Sequence, residues 1–191
     1  VERQIPFVTA DCHWNRNVSS VEIDYFTGAY EMTRSLLKNN KIKKIIYVCL
    51  PSSADVLPQS LERMNGIRRA VYESQVSLNC IEDPLLPHNP NQDRQYETMC
   101  AALSLLDENT AVILDWADHN QHVLRLCMDR GLDCPIAALE AGLLNAKVFP
   151  QVRYSELPLY DLGAASAQAL LRLLKNPMDI SHTLLKPQLR T

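Results

Sequence analysis

Apolar and polar positions alternate between two rhythms along the chain. The run Ile45–Cys49 (IIYVC) is continuously apolar, with none of the period-two alternation of a half-exposed strand. It predicts a strand over residues 44–50 buried on both faces, as in a parallel sheet. A polar loop from Pro51 to Pro58 follows, and then a helix near residues 61–74 marked by Arg63 and Gly66. Because ligands of open α/β sheets bind beyond the carboxyl ends of the strands, that loop is the first place to look for function.

The same alternation extends in both directions. IPFVTAD (5–11) reads as a strand, and a polar Asn- and Ser-rich loop leads to a short strand near 21–23. Ala29, Met32, Leu36 and Leu37 fall at helical spacing over 28–37, and Lys38 and Lys41 supply a cationic end that suits a helix C-terminus. Beyond the second helix, 76–81 predicts a strand. PLLPHNPNQ follows, with three prolines that forbid regular structure. Residues 94–106 are helical by pattern, TAVILDW (110–116) is a buried strand, and a helix over 119–130 closes at Gly131. CPIAALEAG (134–142) and 148–154 read as extended. Residues 159–177 form an amphipathic helix stopped by Asn176 and Pro177, and a last strand spans 182–189. Alternating strands and helices imply an α/β fold, an open parallel sheet with helices on both faces.

Composition narrows the function classes. The 191 residues carry 19 Lys and Arg against 22 Asp and Glu, a formal charge of -3, which argues against a nucleic-acid-binding surface on this segment. Six cysteines lie far apart without a CxxC pair, and Cys49 and Cys127 sit inside apolar patterns, favouring a reducing cytoplasm. No apolar run approaches the ~18 residues of a membrane span, and the start VERQIPFVTAD, which opens on Val, lacks the features of a signal peptide. There is no GxSxG elbow, Walker loop, GxGxxG fingerprint or HExxH, and five glycines leave little material for a phosphate cradle.

Several segments, in order and spacing, resemble the effector-binding domain of the lactose-repressor and galactose-repressor (LacI/GalR) family, a type I periplasmic-binding-protein-like fold. They are QIPFVTAD, SSVEIDYFTGAYEMTRSLLKNNKIKKIIYV, LERMNGIRRAV, TAVIL, and LYDLGAASAQALLRLLKNP with TLLKPQL. The resemblance begins at the last strand of that domain's first lobe. It implies a domain fragment that is mainly the C-terminal lobe, with 24–150 and 179–191 forming the second lobe and 1–22 and 155–177 remnants of the first. It further implies a non-enzymatic, cytoplasmic, homodimeric regulator without a cofactor or membrane contact. Such a regulator senses a sugar, sugar phosphate or related polar metabolite and reaches DNA only through an N-terminal helix-turn-helix absent from this sequence. With one wall of its cleft missing, the fragment is expected to bind its effector weakly.

On the same resemblance, Arg63 matches the position whose guanidinium reaches the effector; the plain alternative is a helix-start arginine paired with Glu62 or Asp55, or solvated. Ser52 and Ser53 at the strand exit could supply hydroxyl and backbone contacts or be ordinary loop polarity. Asp24 and Tyr25 lie at the expected lobe crossover, facing the cleft or capping the hinge, and Trp14 could stack on a ring or pack against the other lobe. The family's Asn-Asp strand end is replaced: Trp116 and Ala117 stand there, flanked by Asp115 and Asp118, and Glu140 is the one acid in ALEAGLLN that could replace the family's sugar-gripping carboxylate. A typical sugar specificity therefore does not carry over. DWADHNQH also offers Asp118 and His122 at i, i+4, but a helix N-cap at Asp118 explains the same letters without a metal. Two further readings stand: an exported solute-binding protein of the same fold, and an enzyme using Arg63 with Asp115 or Glu140.

Overall fold

The computed structural model describes residues 5–13, 15–49, 58–82, 97, 100–101, 103–104, 106–115, 124, 134–140 and 152–190. The expectations for Trp14, residues 51–57 of the Pro51–Pro58 loop with Ser52 and Ser53, PLLPHNPNQ, Trp116, Asp118 with His122, and most of the 119–130 helix lie outside these residues.

The chain divides into two compact units, Val1–Asp24 with Leu157–Gln188, and Tyr25–Glu156 with Leu189–Thr191. In the larger unit β3 (Lys44–Cys49), β4 (Ser77–Glu82), β5 (Thr110–Leu114), β6 (Ile136–Ala138), β7 (Val152–Glu156) and β9 (Gln188–Arg190) form one sheet. Its order is β4-β3-β5-β6-β7-β9, and β4 through β7 run parallel.

The unbroken apolar run of β3 has the expected cause. Ile46 and Val48 enter one core cluster with Val112, Leu114, Ile136, Leu103 and Leu124, whereas Ile45 and Tyr47 enter another with Ile113, Ala137 and Leu139. Successive side chains of a strand point to opposite faces, so a strand covered on both cannot alternate in polarity. The second cluster is roofed by α1 (Tyr25–Leu37) and α2 (Pro58–Ser74) through Ala29, Met32, Leu36, Ile67 and Val71. Leu103 and Leu124, both in helical conformation, cover the first.

Gly66 sets how closely α1 and α2 approach. A Cβ there would overlap the Phe26 carbonyl oxygen and lie 3.0 Å from the Tyr30 nitrogen and 3.2 Å from the Ala29 Cβ. No other residue fits the crossing without moving a helix backbone. Arg153 of β7 further ties α1 down, donating from Nη1 to the Ser35 carbonyl at 2.8 Å.

The smaller unit holds β1 (Val8–Ala10), β2 (Ser19–Ile23) and β8 (His182–Leu185) in a three-stranded parallel sheet, with α3 (Leu159–Lys175) packed on β1 and β2. α3 stops at Lys175 because Asn176 is extended, with φ of -142°, and Pro177 follows.

Two expectations need correction. The single strand over 182–189 is two strands, because Pro187 interrupts the segment without an N–H to donate. Residues 179–188, expected with the second lobe, group instead with the smaller unit, because Ser20 to Ile23 of β2 pair with His182 to Leu185. Asp24 moves with them: its N–H donates to the Leu185 carbonyl at 2.8 Å, so the division falls between Asp24 and Tyr25.

Candidate functional site

At the carboxyl ends of β5 and β6 the chain buries a charged cluster. Asp115 is the residue after β5, Glu140 lies two residues beyond β6, and Arg63 and Ser60 come from the first half of α2. Strand direction brings the two acids to one pole of the sheet, and helical spacing of three puts Ser60 and Arg63 on one face of α2.

Arg63 is 1% exposed, the largest fully buried side chain of the chain's described residues. Its Nη1 donates to Asp115 Oδ1 at 3.1 Å and to the Asp115 carbonyl at 3.3 Å, and Nη2 donates to Glu140 Oε2 at 2.8 Å. The guanidinium carbon lies 4.6 Å from the centre of the Tyr25 ring, a cation–π contact that covers one face of the fork. Ser60 Oγ donates to Asp115 Oδ2 at 3.2 Å, leaving neither Asp115 oxygen without a donor. Of the alternatives for Arg63, the solvated one is corrected by its burial, and its described bonds run to acids 52 and 77 residues away.

Burial and pairing oppose one another here. Burial works against the Arg63 charge, but Asp115 and Glu140 outweigh it and hold the guanidinium pKa above its usual value. Burial pushes the Asp115 pKa up, while Arg63, Tyr47 and Ser60 pull it back. Arginine does not give up its proton in a protein, so the buried guanidinium keeps its charge. Glu140 differs from Asp115 in access. Its side chain keeps 29% of its surface against 2% for Asp115, so it is the acid of the cluster that solvent reaches.

Sequence reasoning named Arg63, Asp115, Glu140 and Tyr25, and the structure brings these four together. It missed Ser60, whose i−3 relation to Arg63 was the available signal, and Tyr47, hidden inside an apolar run. The Tyr47 hydroxyl is buried beside Asp115 and closes no well-formed hydrogen bond among the described residues. Burial, reinforced by the Asp115 charge, pushes its pKa far up, so Tyr47 stays neutral. Asp24 belongs to the smaller unit.

One guanidinium faces two acid side chains, so the cluster holds no surplus positive charge. Glu140 is the more accessible of its two acids, whereas the Arg63 fork is buried.

No family model matches the chain. Catabolite control protein A of Priestia megaterium is 25% identical over 183 residues, covering 93% of this chain and 54% of that protein. The chain thus spans about half the length of the curated relative it matches. A regulatory protein of the LacI family from Chloroflexus aggregans superimposes with a TM-score of 0.76 at 18% identity, covering 96% of this chain and 66% of that one. A LacI-family transcriptional regulator from Enterococcus faecium, solved with bound ribose, gives 0.75 at 17% identity over 97% of this chain and 69% of that one. The order of the sequence segments, the fold and the sequence relative agree: the chain is similar in sequence to catabolite control protein A and shares the fold of these LacI-family regulators.

Proposed function

We propose that this chain is the ligand-sensing domain of a LacI-type transcription regulator. Its effector is a neutral, hydroxyl-rich small molecule that meets the larger unit at Arg63, Asp115 and Glu140. The observation that carries the reading is the buried Arg63 clamped by two acids at the strand ends. The clamp fixes the guanidinium without leaving a surplus positive charge, so a neutral sugar or polyol is favoured over a sugar phosphate. The ribose bound to the Enterococcus faecium regulator supports the ligand class. Ser52 and Ser53, between β3 and α2, and Trp14 and Trp116 are further candidate contacts.

Ligand binding biases the domain between two arrangements and so controls DNA binding through a helix-turn-helix outside the printed sequence, in a cytoplasmic homodimer. The exposed free thiols of Cys12 and Cys80 favour a reducing compartment over export. A catalytic role is disfavoured because both acids of the cluster are engaged by Arg63 rather than poised beside a nucleophile.

Amide chemical shifts recorded on addition of ribose, xylulose and ribose 5-phosphate test the assignment. Neutral sugars should move the signals of Asp115 and Glu140 and their neighbours, and the phosphate should not. Glu140→Gln should weaken the neutral sugars and let the phosphate in, because a negative charge is gone. A phosphate that binds the unaltered protein better than its parent sugar would sink the proposal.

A further inference from the structure

One group of reactive side chains takes no part in the cluster around Arg63. On the face of the larger sheet covered by α2, Cys49 of β3 and Cys80 of β4 sit on neighbouring strands. The β3–β4 register pairs Tyr47 with Cys80 and Cys49 with Glu82, so the cysteines are diagonal neighbours. They share a face. Tyr47 and Cys49 pack on the α1–α2 side, and so does Leu78, which has the same parity as Cys80 in β4. From above, Met64 of α2 brings its thioether to 3.8 Å from the Cys80 sulfur and packs against the same core cluster as Cys49.

These positions have two consequences. With strands about 4.8 Å apart and about 3.3 Å of rise per residue, a diagonal pair two residues out of step has its Cα atoms roughly 8 Å apart. That exceeds the reach of a disulfide, which needs Cα atoms closer than about 7 Å. The two thiols therefore stay free on one face of the sheet, with the Met64 thioether against Cys80. The donors are soft, two thiols and a thioether, and the described residues contain no group of three His, Cys, Asp or Glu able to hold a metal. A tetrahedral zinc site is therefore not supplied, whereas thiolate with thioether is the donor set that selects copper(I).

We infer that Cys49, Cys80 and Met64 form a binding site for a soft monovalent metal ion, copper(I) in its natural form. Access comes from the β4 side, where Cys80 is exposed. Binding replaces the thiol protons by the metal and releases them to solvent, with no change of oxidation state. Met64 directly follows Arg63 in α2, so an ion held here fixes the helix that carries the guanidinium.

Silver(I), a redox-inert stand-in, is the probe, added to the full chain carrying Cys12→Ser so that one exposed thiol is removed from competition. A single equivalent should bind, and mass spectrometry after iodoacetamide should find Cys49 and Cys80 protected together. Cys80→Ser should abolish the protection of Cys49. Met64→Leu, with both thiols intact, should weaken binding by at least about tenfold, the scale at which supporting-shell losses already act. Circular dichroism should show each variant folded. Alkylation of Cys49 and Cys80 at the metal-free rate, or unchanged affinity in Cys80→Ser or Met64→Leu, would overturn the assignment and leave silver scattered over unrelated thiols.

Discussion

The two units use the same materials, parallel strands and amphipathic helices, to different degrees of completion. The larger unit covers both faces of its sheet, and residues such as Ile45, Ile46, Tyr47 and Val48 are wholly inaccessible. The smaller unit has three strands and one described helix, and it carries Ile5, Phe7, Leu159, Tyr160, Leu171, Leu174, Met178, Ile180 and Leu184 at its surface. In α3 only Ala169 and Leu173 are buried. The contrast teaches that the apolar stripe of a helix states how much surface wants covering, not how much of it the neighbouring strands cover. Side-chain substitutions should therefore be costly in the larger unit and nearly silent on α3.

The sharpest break is expected at Arg63. Arg63→Ala leaves Asp115 as an uncompensated charge in a site that is almost closed to water, which costs about 3–5 kcal/mol. Urea denaturation should show the midpoint falling steeply. Replacing Arg63 and Asp115 together by apolar residues should recover much of the loss, because the penalty lies in the stranded charge. A loss under about 1 kcal/mol, the range of exposed pairs, would mean that the cluster is open to solvent.

Next in size is Gly66→Ala. Its methyl has to displace the Phe26 carbonyl, a backbone atom that no side-chain rotation moves aside. Overpacking of this kind costs about 1–3 kcal/mol, and thermal unfolding measures it. Gly163→Ala in α3 is the control. A Cβ there meets nothing within 4 Å, so helix propensity should make that change neutral or stabilising by up to about 1 kcal/mol.

How much of this was legible in the letters differs by feature. β3 was legible because its five apolar residues in a row admit only a strand buried on both sides. α1 was legible from its apolar spacing and α2 from its place after the strand and loop, but that Gly66 sits where the two helices cross was not. The partners of Arg63 were not, since pairing across 52 and 77 residues depends on strand order, which no local pattern encodes. The placement of 182–185 was missed for the same reason. TLLKPQL reads as a strand in any sheet, and only the β2–β8 pairing decides which. Pro187 was the available hint that one strand was two.

A smaller effect comes from pH. Burial, aided by the negative charge around it, pushes the Cys49 thiol from its ordinary 9.0 up to about 12. Between those values the native thiol keeps a proton that the unfolded chain has lost, so the native state is disfavoured as pH rises. Stability should fall from pH ~9 upward, and Cys49→Ala should flatten that slope at the alkaline end while leaving neutral pH little changed. Tyr47, also pushed up, leaves a residual slope of the same sign. Chemical denaturation at pH 7, 9 and 10.5 separates the two, and a slope unaltered by Cys49→Ala would show that the thiol titrates as if exposed.

The smallest expected effect bears most directly on the contrast. Leu171 and Leu174 of α3 are 58% and 60% exposed, so changing both to Gln removes little buried area. Substitutions at such positions usually stay within about 0.5 kcal/mol of zero, and glutamine is nearly as good a helix former as leucine. The unfolding midpoint should hold still while binding of a hydrophobic dye falls, since the apolar patch on α3 shrinks. A drop in stability like that of Gly66→Ala would mean instead that these leucines are buried in the molecule in solution. The smaller unit would then be as fully covered as the larger, and the difference between them would lie in what packs on α3 rather than in how much of its stripe is covered.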